Sequence, residues 1–286
     1  MEVYTVCMTN RDYEKARESA IGKIRNRRVN VDVVTMPDLF LDHSVAYNHD
    51  SVSFARSIAS VASKGGGELP NLPQRLELGG NAAICTLALS SLGARVHPIM
   101  KTSRLGLAVL DHFYQGLSID LSHVKTDGKL TPTIILEMHQ ENKTANVMLG
   151  DSSSVSGFGF EDLQPEDLNL ISNAEYTCVF NWIYNPNGTE LARGVFNFCK
   201  QKSTSRTFFD PADPWPRRRE LPELARALFR DQLLDILGVN ENEAILFARA
   251  LGRKIRVSDG KRRLAAGLEA AKAISAHANT KVYLHT

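Results

Sequence analysis

Short β-branched runs alternate with helix-spaced segments along most of this chain, and few folds accept that alternation. Val31–Met36 is a β-branched run that stops at Pro37, as a buried strand does before a loop. Ala82–Leu92 is small and apolar, with Gly93 placed to end a helix. Val96–Met100 reads as the next strand, and Leu105–Leu117 as a helix with its stop at Gly116. Further on, Thr177–Ile183, Arg206–Phe209, Ile236–Val239, Lys254–Val257 and Lys281–Leu284 read as strands. Thr189–Cys199, Leu221–Leu234, Asn242–Ala250 and Leu264–His277 read as helices, the second with Pro222 in its opening turn. The pattern predicts an α/β fold: a mainly parallel sheet covered by helices. Thr131–His139 and Thr144–Leu149 interrupt it as a β-hairpin turning at Asn142. One domain over 1–286 with a lid hairpin at 131–149 is the simplest organisation. Residues 11–28 read as a surface helix with Ala16, Ala20, Ile21 and Ile24 at helical spacing, and Ser63–Pro73 reads as a loop.

Composition narrows the partners. With 43% hydrophobic and 23% charged residues the chain can bury a sizeable core, and a formal charge of +2 gives no reason to expect nucleic acid or an acidic membrane. The basic runs Arg25–Arg28 and Arg217–Arg219 have no interleaved aromatic residues and read as solvated faces. No apolar run approaches the roughly 18 residues of a membrane span, and the polar start is no signal peptide. Cys7, Cys85, Cys178 and Cys199 are scattered, with no zinc-ligand spacing, which suits a reducing compartment and a cytoplasmic protein.

Walker, dinucleotide, nucleophile-elbow and zinc-protease motifs are absent. Four constellations remain. Asp38 and Asp42, in Pro37–His43, follow a buried strand, and in open α/β sheets ligands bind at the carboxyl ends of strands. A carboxylate there can accept hydrogen bonds from two sugar hydroxyls; the plainer reading is a solvated loop. Gly79-Gly80-Asn81 opens an apolar helix, where a ligand can come close to the backbone and free amides can bind oxygens, or where a tight turn simply caps the helix. Asn240 and Glu243 lie three apart after the strand Ile236–Val239. They suit a hydrated Mg2+ near phosphates, and they equally spell a capping box. Asp210, before Pro211, again falls on the carboxyl rim, or is turn chemistry.

In this order the pieces resemble the PfkB/ribokinase family of carbohydrate and nucleoside kinases. The stretch GGNAAICTLALSSLGARV is similar to that family's first signature, and LGVNENEA to its N-x-x-E region; the likeness runs from about Val31 to Thr286. It implies a ribokinase-like, Rossmann-like sheet with a small β lid. It also implies transfer of the ATP γ-phosphoryl group to a sugar or nucleoside hydroxyl, with Mg2+ as cofactor. Asp42, Asp38, Gly79, Gly80 and Asn81 would then hold substrate hydroxyls. Asn240 and Glu243 would sit near Mg2+ and phosphate, Glu243 through water. The lid edge offers a surface for a homodimer.

Three departures bear on activity. The family's catalytic base lies in a G-A-G-D tetrad, which residues 1–286 do not contain, so the C-terminal catalytic part is expected to be missing and turnover severely reduced. Ile84 stands where a second Asn is common, and Lys101–Arg104 replaces a Gly- and Asp-containing turn, which leaves the sugar unnamed. A non-catalytic protein that retains the substrate half of the fold is the alternative, and a different Rossmann-type nucleotide enzyme is the third.

Overall fold

The computed structural model describes residues 31–141, 143–256 and 262–285. In chain order the first half holds β1 (Asp32–Met36), β2 (Phe40–Tyr47), α1 (Ser51–Ala62), β3 (Gln74–Gly79), α2 (Asn81–Ser91), β4 (Arg95–Pro98), β5 (Met100–Lys101), α3 (Arg104–Phe113), β6 (Val124–Lys125), β7 (Pro132–Gln140) and β8 (Lys143–Gly150). The second half holds α4 (Pro165–Asn173), β9 (Tyr176–Phe180), α5 (Gly188–Lys202), β10 (Arg206–Asp210), α6 (Leu221–Phe229), β11 (Ile236–Val239), α7 (Glu241–Ala250), α8 (Arg262–Ala278) and β12 (Lys281–Leu284).

The main sheet has the order β12-β11-β10-β9-β1-β4, and every pair in it is parallel. Strands β1, β9 and β11 are buried along nearly their whole length, because successive side chains enter opposite sides of the sheet, while the edge strand β12 is partly exposed. On one face Val34, Met36, Val179, Phe209, Leu237 and Val239 meet helices α4 to α8. On the other, Val33, Cys178 and Phe180 meet Ala82 and Ala83 of α2 and Leu110 of α3. Each fully buried side chain of this size contributes about 1.5–3 kcal/mol by leaving water. Thr35 also faces α2, where its hydroxyl lies 2.6 Å from that of Thr86, so even the polar positions of β1 are paired.

The sheet order sets the site. From β1 the chain moves to β4 on one side, then returns to β9 on the other. The crossing point therefore lies at the carboxyl ends of β1 and β9, where an open α/β sheet leaves a crevice.

A second sheet, β3-β2-β7-β8, carries the hairpin read from the sequence but is twice its size. Phe40–Tyr47, which begins inside the segment Pro37–His43 read as a loop, and Gln74–Gly79, where no element is read from the sequence, are its other two strands. The reason is visible in β2. Phe40, Asp42, Ser44 and Ala46 alternate with Leu41, His43, Val45 and Tyr47, so neither face is uniformly apolar and the period of two is hidden. Asp42 is thus a strand residue rather than a loop residue.

Other expectations shift for local reasons. The strand expected over Thr177–Ile183 ends at Phe180, because Asn181 is left-handed (φ 56°) and Trp182–Tyr184 is a 3-10 turn. The helix expected over Leu221–Leu234 ends at Phe229. Lys254–Arg256, expected as the start of a strand, is irregular: Ile255 is buried in the helical core and its carbonyl accepts from Arg249 Nη2 at 3.1 Å. Arg217 does not lie on a solvated face. Its guanidinium lies 4.0 Å from the Trp182 ring centroid and donates to the carbonyls of Trp182 (2.6 Å) and Asn185 (2.7 Å). The helix read over 11–28, with Arg25–Arg28, the turn at Asn142 and Val257 lie outside the described residues. No helix among the described residues is long and apolar enough to cross a membrane.

Candidate functional site

Four neighbouring strands end at the same rim. Asp38 follows β1, Asn181 follows β9, Asp210 ends β10 and Asn240 follows β11. Adjacent strands lie about 4.8 Å apart, so residues 38 and 240, some two hundred positions apart in sequence, are brought within about three strand spacings.

Asp38 lies two residues past β1, after a cis Met36–Pro37 bond, and is fully buried. Its Oδ1 accepts from the Ala82 amide at 3.1 Å and its Oδ2 from Asn181 Nδ2 at 2.8 Å. Burial pushes the carboxyl up to about 6, held back by those two donors. Asp38 therefore ties the ends of β1 and β9 to the first turn of α2 and faces no solvent. The ends it joins include Gly80, whose φ of 95° is open to glycine. A Cβ at Gly80 would stand 2.9 Å from Asp38 Oδ2 and 3.0 Å from the Asp38 carbonyl oxygen.

Asp42 sits one strand into the lid, half-buried, with its carboxylate lying against Gly79; a Cβ on Gly79 would occupy the same space. Burial raises its carboxyl, the Thr133 hydroxyl beside it lowers it, and the facing Glu77 raises it again. The lid face that carries Asp42 looks toward the main domain, because Phe40 on that face packs against Tyr184 with ring centroids 5.4 Å apart. Asn81, the first residue of α2, points its amide at Asp210 Oδ1 at 3.4 Å. That oxygen also accepts from the Ala212 amide at 2.9 Å, and burial raises the Asp210 carboxyl.

Asn240 and Glu243 form a complete capping box. Asn240 Oδ1 accepts from the amides of Asn242 (2.9 Å) and Glu243 (3.0 Å). The Glu243 carboxylate accepts from Asn240 N (2.8 Å) and Nδ2 (2.7 Å). Burial pushes Glu243 up to about 7, the Asn240 amide opposes this, and the charges of Asp210, Asp213 and Glu241 add to the rise. Asn240→Ala is expected to cost about 1–2 kcal/mol in a urea melt, since it removes the cap and one of Glu243's donors. An unchanged midpoint would show that the box carries no weight.

Among the described residues no group of three His, Cys, Asp or Glu side chains is arranged to hold a metal directly. The donor set at β11 fits a hydrated Mg2+ instead. Glu243 is a buried carboxylate whose acidic neighbours repel it, and a cation held through water would relieve that repulsion.

The structure thus joins Asp42, Gly79, Gly80, Asn81 and Asp210 in one continuous set of contacts through Asp38 and Asn181. Asn240 and Glu243 belong to the next strand along, coupled to Asp210 by charge. Sequence reasoning passed over Asn181, Glu77 and Thr133. Asn181 carried a signal, since Asn is among the non-glycine residues that most readily take the left-handed conformation. A cavity of about 540 Å³ lies elsewhere, between the outer side of α2 and the sheet, lined by apolar residues such as Val33, Leu89, Phe208 and Tyr283. It is no part of this rim.

No protein-family model matches the sequence, and no curated protein matches it. Solved structures do resemble it. 2-Dehydro-3-deoxygluconokinase from Thermotoga maritima superposes with a TM-score of 0.65 at 17% identity, over 89% of this chain and 72% of that one. Ribokinase from Cryptococcus neoformans var. grubii, solved in complex with ADP, gives 0.64 at 14% identity, over 89% and 73%. A probable sugar kinase from Rhizobium etli gives 0.62 at 17%, over 90% and 74%. With the parallel sheet, the helical layers and the four-stranded lid, these likenesses show that the chain has the ribokinase-like α/β fold found in carbohydrate kinases.

Proposed function

We propose that this protein belongs to a PfkB-type kinase that transfers the ATP γ-phosphoryl group to a hydroxyl of a sugar or nucleoside. The convergence of Asp42, Gly79, Gly80, Asn81 and Asp210 at one sheet rim carries the reading. Asp42 accepts hydrogen bonds from acceptor hydroxyls, while the bare backbone of Gly79 and Gly80 lets the ring lie close. Asn81 supplies an amide to the same acceptor. Asp38 is a positioning residue, because its oxygens are spent on Ala82 and Asn181. Asn240 and Glu243 are the residues that would hold a hydrated Mg2+, through its water. When bound, Mg2+ neutralises charge on the transferring phosphoryl group, and the protein's share of the rate is positioning and charge balance.

The four-stranded sheet acts as a lid over the acceptor. Its outward face supports a homodimer: Leu76, Ile134 and Leu149 lie in one row across the four strands, with His43 between the first two, and are 61%, 41% and 54% exposed. Free thiols at Cys85, Cys178 and Cys199 suit a cytoplasmic protein.

A panel of sugars and nucleosides, scored by thermal stabilisation and by ADP release, tests this. Stabilisation by a polyhydroxyl acceptor is the expected result. Failure of every sugar and nucleoside to stabilise the protein would end the proposal. Robust sugar-dependent ADP release by residues 1–286 alone would overturn the slow-turnover expectation.

A further inference from the structure

We propose that residues 11–28 of this chain dock in the apolar groove beside α2 and cover the part of the sheet that the described helices leave open.

A parallel sheet is stable when helices cover both of its faces. Here helices α4 to α8 cover one face from β1 to β12. On the other face α2 sits over β4, β1 and β9, and no residue of α4 to α8 joins that core. The groove of about 540 Å³ lies in the uncovered half. Phe208, Ile236 and Tyr283, from β10, β11 and β12, form its floor. Cys85, Leu89 and Leu92, four and three apart, form a wall along α2 and its end. Tyr283 is 60% exposed and Leu92 44%. An apolar floor of strands beside the apolar stripe of a helix has the shape of a seat for one more helix, since helices in a layer lie about 8–10 Å apart.

The chain carries a segment that fits the seat. Residues 1–30 precede Val31, and Val31 itself lines the groove. Within them Tyr13, Ala16, Ala20 and Ile24 recur at spacings of three and four, with Ile21 at the edge of the stripe. From Tyr13 to Ile24 a helix rises about 16 Å, and a five-residue strand such as β9 or β10 is about 17 Å long. From Arg28 to Val31 the chain reaches about 10 Å, one helix spacing. Residues 11–28 would then run antiparallel to β1 and feed it from its amino end, as a helix feeds the next strand in α/β folds. That direction sets Arg25, Arg27 and Arg28 at the amino-end rim. There Glu175, before β9, and Asp235, before β11, form no ion pair among the described residues. A second copy of the chain is the weaker occupant. A segment tethered at the edge of the groove meets it at an effective concentration on the order of millimolar, which a separate molecule does not reach.

The test measures maleimide labelling of single introduced cysteines in the full chain, mapped by peptide mass. Tyr283→Cys reports on the floor of the groove, and Val52→Cys, at a 55% exposed position on α1, is the open reference. Tyr283→Cys is expected to label at least about tenfold more slowly than Val52→Cys, because covering a side chain in more than nine molecules of ten lowers its rate by that factor. Adding Ala20→Asp and Ile24→Asp, which put charge on the stripe, is expected to bring the two rates together, while Glu18→Lys, on the opposite side of the segment, leaves the protection in place. Cys199 is 2% exposed and checks that the variants stay folded: it should remain unlabelled throughout. Should the double Asp variant expose Cys199, the decision passes to a chain with Ile24→Cys and Leu92→Cys. Under mild oxidation these are expected to form an intramolecular disulfide, and Glu18→Cys with Leu92→Cys is expected to form none. Equal labelling of Tyr283→Cys and Val52→Cys in the otherwise native chain would overturn the proposal, and so would failure of the Ile24–Leu92 pair to cross-link. Protection that survives the Asp substitutions and fades on dilution would assign the groove to a second copy and overturn it as well.

Discussion

Asp42→Ala is expected to weaken acceptor binding by about a hundredfold or more, measured by calorimetry with the best ligand of the panel. A carboxylate that accepts from two hydroxyls makes two charge-assisted hydrogen bonds of about 1.5–3 kcal/mol each, and every 1.4 kcal/mol is a factor of ten. Asp42→Asn keeps the shape and one acceptor oxygen, and should lose about tenfold. The fold should tolerate both. Asp42 is half-buried on a lid strand, and removing its charge also removes its repulsion from Glu77. Unliganded melting should therefore change by less than about 1 kcal/mol, which separates loss of the site from loss of structure. If Asp42→Ala binds as the wild type does, the acceptor lies elsewhere.

The division between what the sequence made legible and what it hid follows burial. Val33–Met36, Thr177–Phe180 and Ile236–Val239 are buried at every residue, so each is a compact, mostly apolar run and reads as a strand without context. Gln74–Gly79 is exposed over its first four residues and had no apolar run to find, whereas helix Ser51–Ala62 carries Phe54, Ile58 and Val61 at helical spacing, a stripe that the sequence reading passed over. Gly80, Asp210 and Asn240 could be singled out because each stands at or just beyond a strand end, and Asp42, inside β2, because it follows the apolar run Val33–Met36 closely. What each would face could not be read. Asp38 and Asp42 look alike in Pro-Asp-Leu-Phe-Leu-Asp, four residues apart; the fold buries one beneath α2 and turns the other toward the cleft. The burial of Arg217 against Trp182 depends on a contact 35 residues away, and no local pattern marks it.

Asp38→Asn should make the protein more stable at neutral pH, by an amount that grows with pH. The Asp38 carboxyl is raised from its usual 3.8 to about 6, so the folded state holds its proton more tightly than the unfolded chain. Below pH 3.8 both states are protonated and the folded state pays nothing. Between 3.8 and 6 the unfolded chain ionises first, and folding stability falls as pH rises. Above 6 the loss levels off at about 3 kcal/mol. An amide has the same shape and no charge to desolvate. One of its functions accepts from the Ala82 amide as before. The other would donate, and Asn181 has an unpartnered Oδ1 that a turn of its own amide brings opposite. The neighbours that could confuse the titration stay neutral: burial, then the charges of Asp210 and Asp38, push the Cys85 thiol up to about 12, and burial first raises the Tyr114 phenol. In urea melts at pH 4.5, 6 and 7.5 the advantage of Asp38→Asn over wild type is expected to grow by about 2 kcal/mol across the range, the share of the rise that falls in that window. Other carboxylates titrate in both proteins and cancel in the difference. Asp38→Ala serves as the contrast, since it leaves the Ala82 amide and the Asn181 side chain unpaired and should lose about 1–3 kcal/mol even at pH 4.5. A difference between Asp38→Asn and wild type that stays flat with pH would show that Asp38 titrates as an exposed carboxylate. The anchor between β1, β9 and α2 would then be looser than its contacts imply.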